Sequence, residues 1–299
     1  MKKHLILALS ALSLCILTGC ASIDITINKK GDLLKDIEKA SECTNIYDKY
    51  GNFRIDVLGT HADNTADDYS IYYSDNSYIV VNRYGTTIDD HGDVYGYDTE
   101  MDAPFRYIFF DDAYETYKKE NEMVKGFGYS ETEKIISREE KDGKIFLQTE
   151  DTPEAIVYIL ESWGFDPDTV ERTYAEYIID SDTLIAQNIK AYAVVDGKKV
   201  LYSDTTISPD NDGFVPDKVI TDAISSNDNR TITVITDPGS ADERSFSETI
   251  IKGGVCFIPY PSGYEPVLYD DSECTVIHQP SPDRNSDMTL YMKRSGENQ

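Results

Sequence analysis

Past residue 50 the hydrophobic period of the chain changes from that of a helix to that of a strand, and it stays there for most of the sequence. Phe53, Ile55 and Val57 alternate with polar residues, and short alternating runs follow over residues 69–73, 78–84, 94–97 and 105–110. A period of two puts every second side chain on one face, the pattern of a half-buried strand. Asp75-Asn76, Tyr84-Gly85 and His91-Gly92-Asp93 supply turns between them. Asp142-Gly143 and Asp196-Gly197 each stand between further alternating runs, and Asp-Gly in that setting is a strong hairpin signal. Strands are therefore expected over 132–140, 144–150, 172–179, 184–195 and 198–207, linked by short turns that only antiparallel neighbours allow.

Helical periodicity is confined to three stretches. Leu33, Leu34, Ile37, Ala40 and Cys43 mark one face of a helix over 31–50, with Asp32 as its N-cap. A second helix is expected over 111–123, with Asp111 and Asp112 at its positive end and Gly126 and Gly128 beyond it. The third has Thr152 as N-cap, Pro153 in first position, a buried stripe of Ile156, Ile159, Leu160 and Trp163, and Gly164 as terminator. Residues 208–230, rich in Pro, Asp, Asn and Ser, read as an acidic linker. The expected domains are thus 31–207, the linker, a small β module over 231–294, and a tail over 295–299.

Charge narrows the partners. Of 299 residues, 28 are Lys or Arg and 55 are Asp or Glu, a formal net charge of −27. Nucleic acid binding needs a basic face, and this chain offers the reverse. Charge-driven adhesion to anionic lipid is disfavoured for the same reason. Tyr numbers 22 against 10 Phe and one Trp, a composition that suits strands with one wet face.

The first 20 residues carry an address. Lys2 and Lys3 form a positive segment, residues 5–17 are apolar but too short to span a bilayer, and Leu17-Thr18-Gly19-Cys20 follows. That tetrapeptide resembles the lipobox of bacterial lipoproteins. The resemblance implies cleavage after residue 19, diacylglycerol on the Cys20 thiol, and an acyl chain such as palmitate. Residues 20–30 would then be a lipidated tether, and loss of Lys2 and Lys3 takes the charge to −29. Two or three acyl chains hold a protein stably at a membrane, at roughly 0.8 kcal/mol per buried methylene. No later apolar run reaches about 18 residues. The implied location is the extracellular face of the cell membrane.

Two further resemblances concern the mature chain. The order of one leading helix, a run of antiparallel strands and helices between strand sets, with the segment Tyr177-Ile178-Ile179-Asp180-Ser181-Asp182-Thr183-Leu184-Ile185, resembles the LolA/LppX-like lipoprotein carriers. It implies an α+β fold, a curved antiparallel sheet or half-barrel with covering helices, whose interior holds lipid. Gly263-Tyr264, Leu268 through Thr275 and Asp287 through Lys293 resemble the end of the internalin-type B-repeat, a small β-grasp-like module of bacterial surface proteins. Leu268 stands where that family usually has Trp, and Met292 where it has Ala.

The residues that carry chemistry elsewhere are sparse. After processing three cysteines remain, Cys43, Cys256 and Cys274. Cys256 and Cys274 lie in one module and are the candidate disulfide, weighed against three small buried thiols. His61, His91 and His278 lie far apart, and no Gly-x-Ser-x-Gly elbow accompanies them. Acidic pairs such as Asp89-Asp90, Asp111-Asp112 and Glu139-Glu140 arise by chance among so many acids. Asp210-Asn211-Asp212-Gly213 has the composition of a calcium loop, but its register puts Val219 where the bidentate Glu belongs. The seven residues Tyr69, Tyr72, Tyr73, Tyr78, Tyr84, Tyr95 and Tyr97 read either as a sugar-stacking face or as core of amphipathic strands.

The expectation is a non-enzymatic, membrane-anchored surface lipoprotein with no catalytic residues, no metal and no cofactor. Its expected partner is a lipid or hydrophobic small molecule, held in a cavity lined by Ile156, Ile159, Leu160 and Trp163. The alternative is a solid-cored spacer that meets a surface protein partner.

Overall fold

The structure, a computed structural model, describes residues 33–75, 77–120, 132–214, 227–279 and 283–295; the lipobox and Cys20 lie outside them. The fold is α+β, built on a large curved antiparallel sheet that does not close into a barrel. The first half of the described chain runs α1 (Leu33–Ala40), α2 (Cys43–Tyr50), β1 (Phe53–Gly59), β2 (Tyr69–Ser74), β3 (Ser77–Asn82), β4 (Gly85–Asp90), β5 (Asp93–Asp98), β6 (Ala103–Tyr107) and α3 (Ala113–Glu120). Then come β7 (Lys134–Lys141), β8 (Lys144–Asp151), a 3-10 turn (Pro153–Ile156) leading into α4 (Val157–Ser162), β9 (Val170–Asp180), β10 (Ala186–Val195) and β11 (Lys198–Pro209). The last strands are β12 (Asn229–Thr236), β13 (Arg244–Ile251), β14 (Val255–Phe257) and β15 (Met288–Met292). No described helix is long and apolar enough to cross a membrane.

These elements form two units. Described residues up to Arg83 and from 132 to Phe214 make the first; Tyr84–Glu120 and 227–295 make the second. The expected first domain, 31–207, runs across both units. The segment carrying β4, β5, β6 and α3 belongs with the C-terminal strands, because Ile108 and Phe110 are buried in one core with Ile232, Val234, Ile250 and Met292. The module over 231–294 therefore lacks part of its own core.

In the first unit the strands lie in the order β3-β2-β1-β11-β10-β9-β8-β7. Each pair is antiparallel. Asp142 and Gly143 have φ of 53° and 71°, and Asp196 and Gly197 have 51° and 68°. These left-handed pairs match the strand twist and set the register of the β7–β8 and β10–β11 hairpins. The expected helix over 31–50 is two helices. Ser41, between them, is fully buried, and its Oγ accepts the Ala186 N–H at 2.9 Å. That bond satisfies a buried backbone donor.

One face of this sheet carries two packed clusters. Ile37, Ala40, Cys43 and Ile46 of α1 and α2 lie over Phe53, Ile55, Val57 and Ile71. Ile156, Leu160 and Trp163 lie with Phe165, Val170, Ala193 and Tyr202. Ile189 of the first cluster and Ala193 of the second are four residues apart on β10, hence on the same face. Each fully buried aliphatic contributes roughly 1.5–3 kcal/mol.

In the second unit β4, β5 and β6 form a meander, and β14 adds to β6 in parallel. A separate sheet has the order β13-β12-β15, with β12 and β13 antiparallel and β12 and β15 parallel.

Candidate functional site

Within the second unit, β5, β6 and β14 on one side and β12 and β13 on the other enclose a cleft of about 360 Å³. Its walls come from Asp93, Tyr95, Arg106, Asn229, Thr249 and Gly254, with Pro104, Phe105, Ile250, Ile251 and Val255. That volume lies in the range of small-molecule sites and has room for roughly a dozen waters. Register explains who faces it. Tyr95 pairs with Arg106 and Arg106 with Cys256, so these side chains share one face of the sheet, with Asp93 two residues from Tyr95. Phe105 is on the other face, its ring against the backbone of Gly96, where an added Cβ would meet Cζ at 2.8 Å. There it joins a group of rings. Tyr107 lies 6.0 Å from Phe105, 5.5 Å from Phe109, 5.1 Å from Tyr117 and 5.0 Å from Phe257.

The polar groups of the cleft are held in place. Arg106 Nη2 lies 2.9 Å from Asp93 Oδ2 and 3.9 Å from Glu248 Oε2, and Nη1 donates to the Thr249 carbonyl at 3.4 Å. Burial raises the Tyr95 phenol above its ordinary range, and Asp90 and Asp93 push it further the same way. Burial also pushes the Cys256 thiol up to about 12, against the opposing pull of Arg230 and Arg106. A thiol held so high is a poor nucleophile. No cluster of three or more His, Cys, Asp or Glu among the described residues is placed to hold a metal ion.

The residues singled out in the sequence are scattered. Leu160 and Trp163 are 0% and 3% exposed, Ile156 is buried, and Ile159 packs partly buried beside them. The Trp163 ring lies on Gly59, where a Cβ would meet Cη2 at 2.2 Å. Tyr202, the residue at which β11 bulges against β10, turns its ring towards Trp163 with centroids 6.1 Å apart. The stripe is thus packed against protein. Cys256 and Cys274 are free thiols, as is Cys43, so the structure does not contain the candidate disulfide. Cys256 is on β14 paired with β6, whereas Cys274 closes a turn around Asp271.

His61 Nε2 lies 3.4 Å from Asp67, His91 Nδ1 2.9 Å from Asp90, and His278 Nδ1 2.7 Å from Asp270. The three are in different places and share no Ser nucleophile. Of the acidic pairs, Asp89 accepts the Tyr114 hydroxyl and the Gly92 N–H, and Asp111 holds Arg244. In the candidate calcium loop, Asp210 accepts the Gly213 N–H at 3.2 Å. Tyr69, Tyr73 and Tyr78 are core residues, and only Tyr95 reaches the cleft. Sequence reading missed Arg106, Asn229 and Thr249, because the strands that bring them together are far apart in sequence. A polar group in the first unit was missed as well. Glu133 Oε1 accepts the Tyr177 hydroxyl at 2.6 Å and that of Thr149, both on buried residues.

No protein-family model matches the chain, and no curated protein matches it. Among solved structures, an uncharacterised conserved protein of Thermus thermophilus is 10% identical, with 63% of this chain and 95% of that one covered at a TM-score of 0.32. LprF of Mycobacterium bovis is 12% identical over 64% and 96%, at 0.28. A LolA superfamily protein of Nitrosomonas europaea is 10% identical over 65% and 98%, at 0.25. Likenesses this faint carry no argument about the site.

Proposed function

We propose that this protein is an exported lipoprotein, held at the outer face of the cell membrane by lipid on Cys20, that binds a small amphipathic ligand without transforming it. The cleft of the second unit is the binding site, and the first unit has a packed interior. The observation that carries this reading is the cleft itself, about 360 Å³ with an ordered guanidinium, Arg106, beside the apolar surfaces of Tyr95 and Pro104. The packing of Ile156, Leu160 and Trp163 moves the proposed ligand away from the cavity expected between sheet and helices. The anchor rests on residues 1–20, where a charged segment, a short apolar segment and Leu17-Thr18-Gly19-Cys20 stand in lipoprotein order.

The test is titration with 1-anilinonaphthalene-8-sulfonate, whose fluorescence rises when it leaves water. Saturable one-site binding is expected, and Glu248→Trp, which sets a large ring beside Arg106 from an exposed position, is expected to abolish it without shifting Tm. Equal binding by that variant would remove the cleft from the account. Metabolic labelling with fatty acid tests the anchor, with Cys20→Ala expected to incorporate none.

A second reading, docking to a surface protein, has one observation behind it. Val276 and Ile277 are more than half exposed on a turn whose backbone Asp271 pins through the Thr275 and Val276 N–H groups. An apolar pair so displayed is a natural contact point. Val276→Glu would then abolish docking while leaving the cleft probe bound.

A further inference from the structure

Arg230 of β12 is only 6% exposed and is poorly compensated. Its Nη2 donates to the Gly254 carbonyl at 3.0 Å and its Nη1 to the Ser286 carbonyl at 3.4 Å, while Nε has no acceptor. No carboxylate lies within ion-pair distance of it among the described residues; Asp283 and Asp287 act on it from farther away. A guanidinium stays charged at any physiological pH. A buried cation without a counter-charge is costly, and a buried unsatisfied donor calls for a reason.

Its position supplies one. Asn229 precedes it on β12, Ile250 is its partner on β13, and Gly254 takes its Nη2 bond. All three line the cleft, so Arg230 stands directly behind the cleft wall. On the wall itself Arg106 presents a second guanidinium, already oriented by Asp93 and the Thr249 carbonyl. Tyr95, Pro104 and Ile251 provide apolar surface in the same cleft.

We propose that the ligand is an anionic amphiphile whose carboxylate or phosphate head lies against Arg106 in the field of Arg230, with its hydrocarbon part on Tyr95, Pro104 and Ile251. This rests on the reading of the cleft as the binding site and adds the chemistry of the occupant. The head exchanges with Asp93 and Glu248 as partner of Arg106, and brings negative charge nearer to Arg230, whose own carboxylates, Asp283 and Asp287, stay beyond ion-pair distance. The net charge of −27 repels free anions at long range, so the head alone is not enough and the apolar part is required. A charge-assisted bond to guanidinium is about twice as strong as a neutral one, which makes the head the discriminating element.

Isothermal titration of the full chain with octanoate, octyl phosphate, octanol and inorganic phosphate separates these terms. Octanoate or octyl phosphate is expected to bind on the order of tenfold or more tighter than octanol, because only an ionised head makes the charge-assisted bond. Whichever of the two binds tighter identifies a carboxylate or a phosphate source. Inorganic phosphate is expected to give no saturable heat. Arg106→Gln is expected to bring the anions down to the level of octanol and leave octanol unchanged. Arg230→Met is expected to do the same more weakly; should that variant fail to fold, Arg106→Gln decides. Octanol bound as tightly as octanoate would overturn the anionic head and leave the cleft standing as a site. Inorganic phosphate bound as tightly as octyl phosphate would overturn the apolar half. Failure of all four probes, together with failure of the fluorescent probe, would overturn the cleft itself.

Discussion

The two units solve the same problem, covering a sheet, with different completeness. In the first, α1, α2 and α4 lay Ile37, Ile46, Leu160 and Trp163 on one sheet face, and all four are at most 3% exposed. In the second, the strands that cover one another are assembled by parallel pairings, β14 on β6 and β15 on β12, between segments far apart in the chain. Its core is the smaller Ile108, Phe110, Ile232, Val234, Ile250, Tyr264 and Met292 set, and beside it a cleft stays open. A packed interior has few voids larger than a water molecule; the cleft of about 360 Å³ opens to solvent at the edge of this core, where the second unit leaves surface uncovered.

The contrast can be broken most severely at the core of the first unit. Trp163→Ala is expected to cost about 3–5 kcal/mol, read as a fall in denaturation midpoint at unchanged slope. Probe binding in the second unit should not change. Gly59→Ala tests the same packing from the other side, since its Cβ would collide with the Trp163 ring. Weaker probe binding in folded Trp163→Ala protein would return the ligand to the first unit.

The next effect concerns the division of the chain. Phe110 stacks on Phe246 with centroids 4.9 Å apart, and it is buried with Ile232 and Val234. A fragment over 231–294 is therefore expected to show no cooperative thermal transition in either redox state, and Phe110→Ala in the full chain to cost about 3–5 kcal/mol. A cooperative fragment would restore the module as a domain of its own.

What was legible in the sequence tracks this same contrast. The β7–β8 and β10–β11 hairpins were readable because Asp-Gly fixes a turn between adjacent alternating strands, a wholly local matter. The Ile156, Leu160 and Trp163 stripe was readable as buried for the same reason, but periodicity does not say whether a buried face meets protein or ligand. The break at Ser41 was hidden because the partner that its side chain meets there, the Ala186 N–H, is 145 residues away. The cleft was hidden because Asp93, Arg106, Asn229 and Thr249 come together only through β14 and β12, whose partners no local signal announces. The shared core of Phe110 and Phe246 has the same origin.

Smaller effects follow from the polar groups. Tyr177→Phe leaves Glu133 without one hydrogen bond and is expected to cost about 1–2 kcal/mol by chemical denaturation. A loss below the error of that measurement would show that Glu133 is satisfied without it. Least of all is a pH effect at the surface. The Lys199 ammonium, 2.6 Å away, holds the Glu176 carboxyl below the ordinary glutamate range, with Tyr192 donating as well. A lowered carboxylate pKa stabilises the fold above the ordinary range, and that stability is lost as the pH falls through the lowered value. The pair is exposed, so Glu176→Gln is expected to remove only a few tenths of a kcal/mol at neutral pH and nothing once the carboxyl is protonated.

The most direct measurement of the central claim is a map of amide shifts as octanoate is added to isotope-labelled protein. Saturable shifts are expected at Tyr95, Arg106, Asn229, Thr249 and Gly254, with residues 156–163 unmoved. Shifts centred on Ile156, Leu160 and Trp163, with the cleft residues silent, would contradict it.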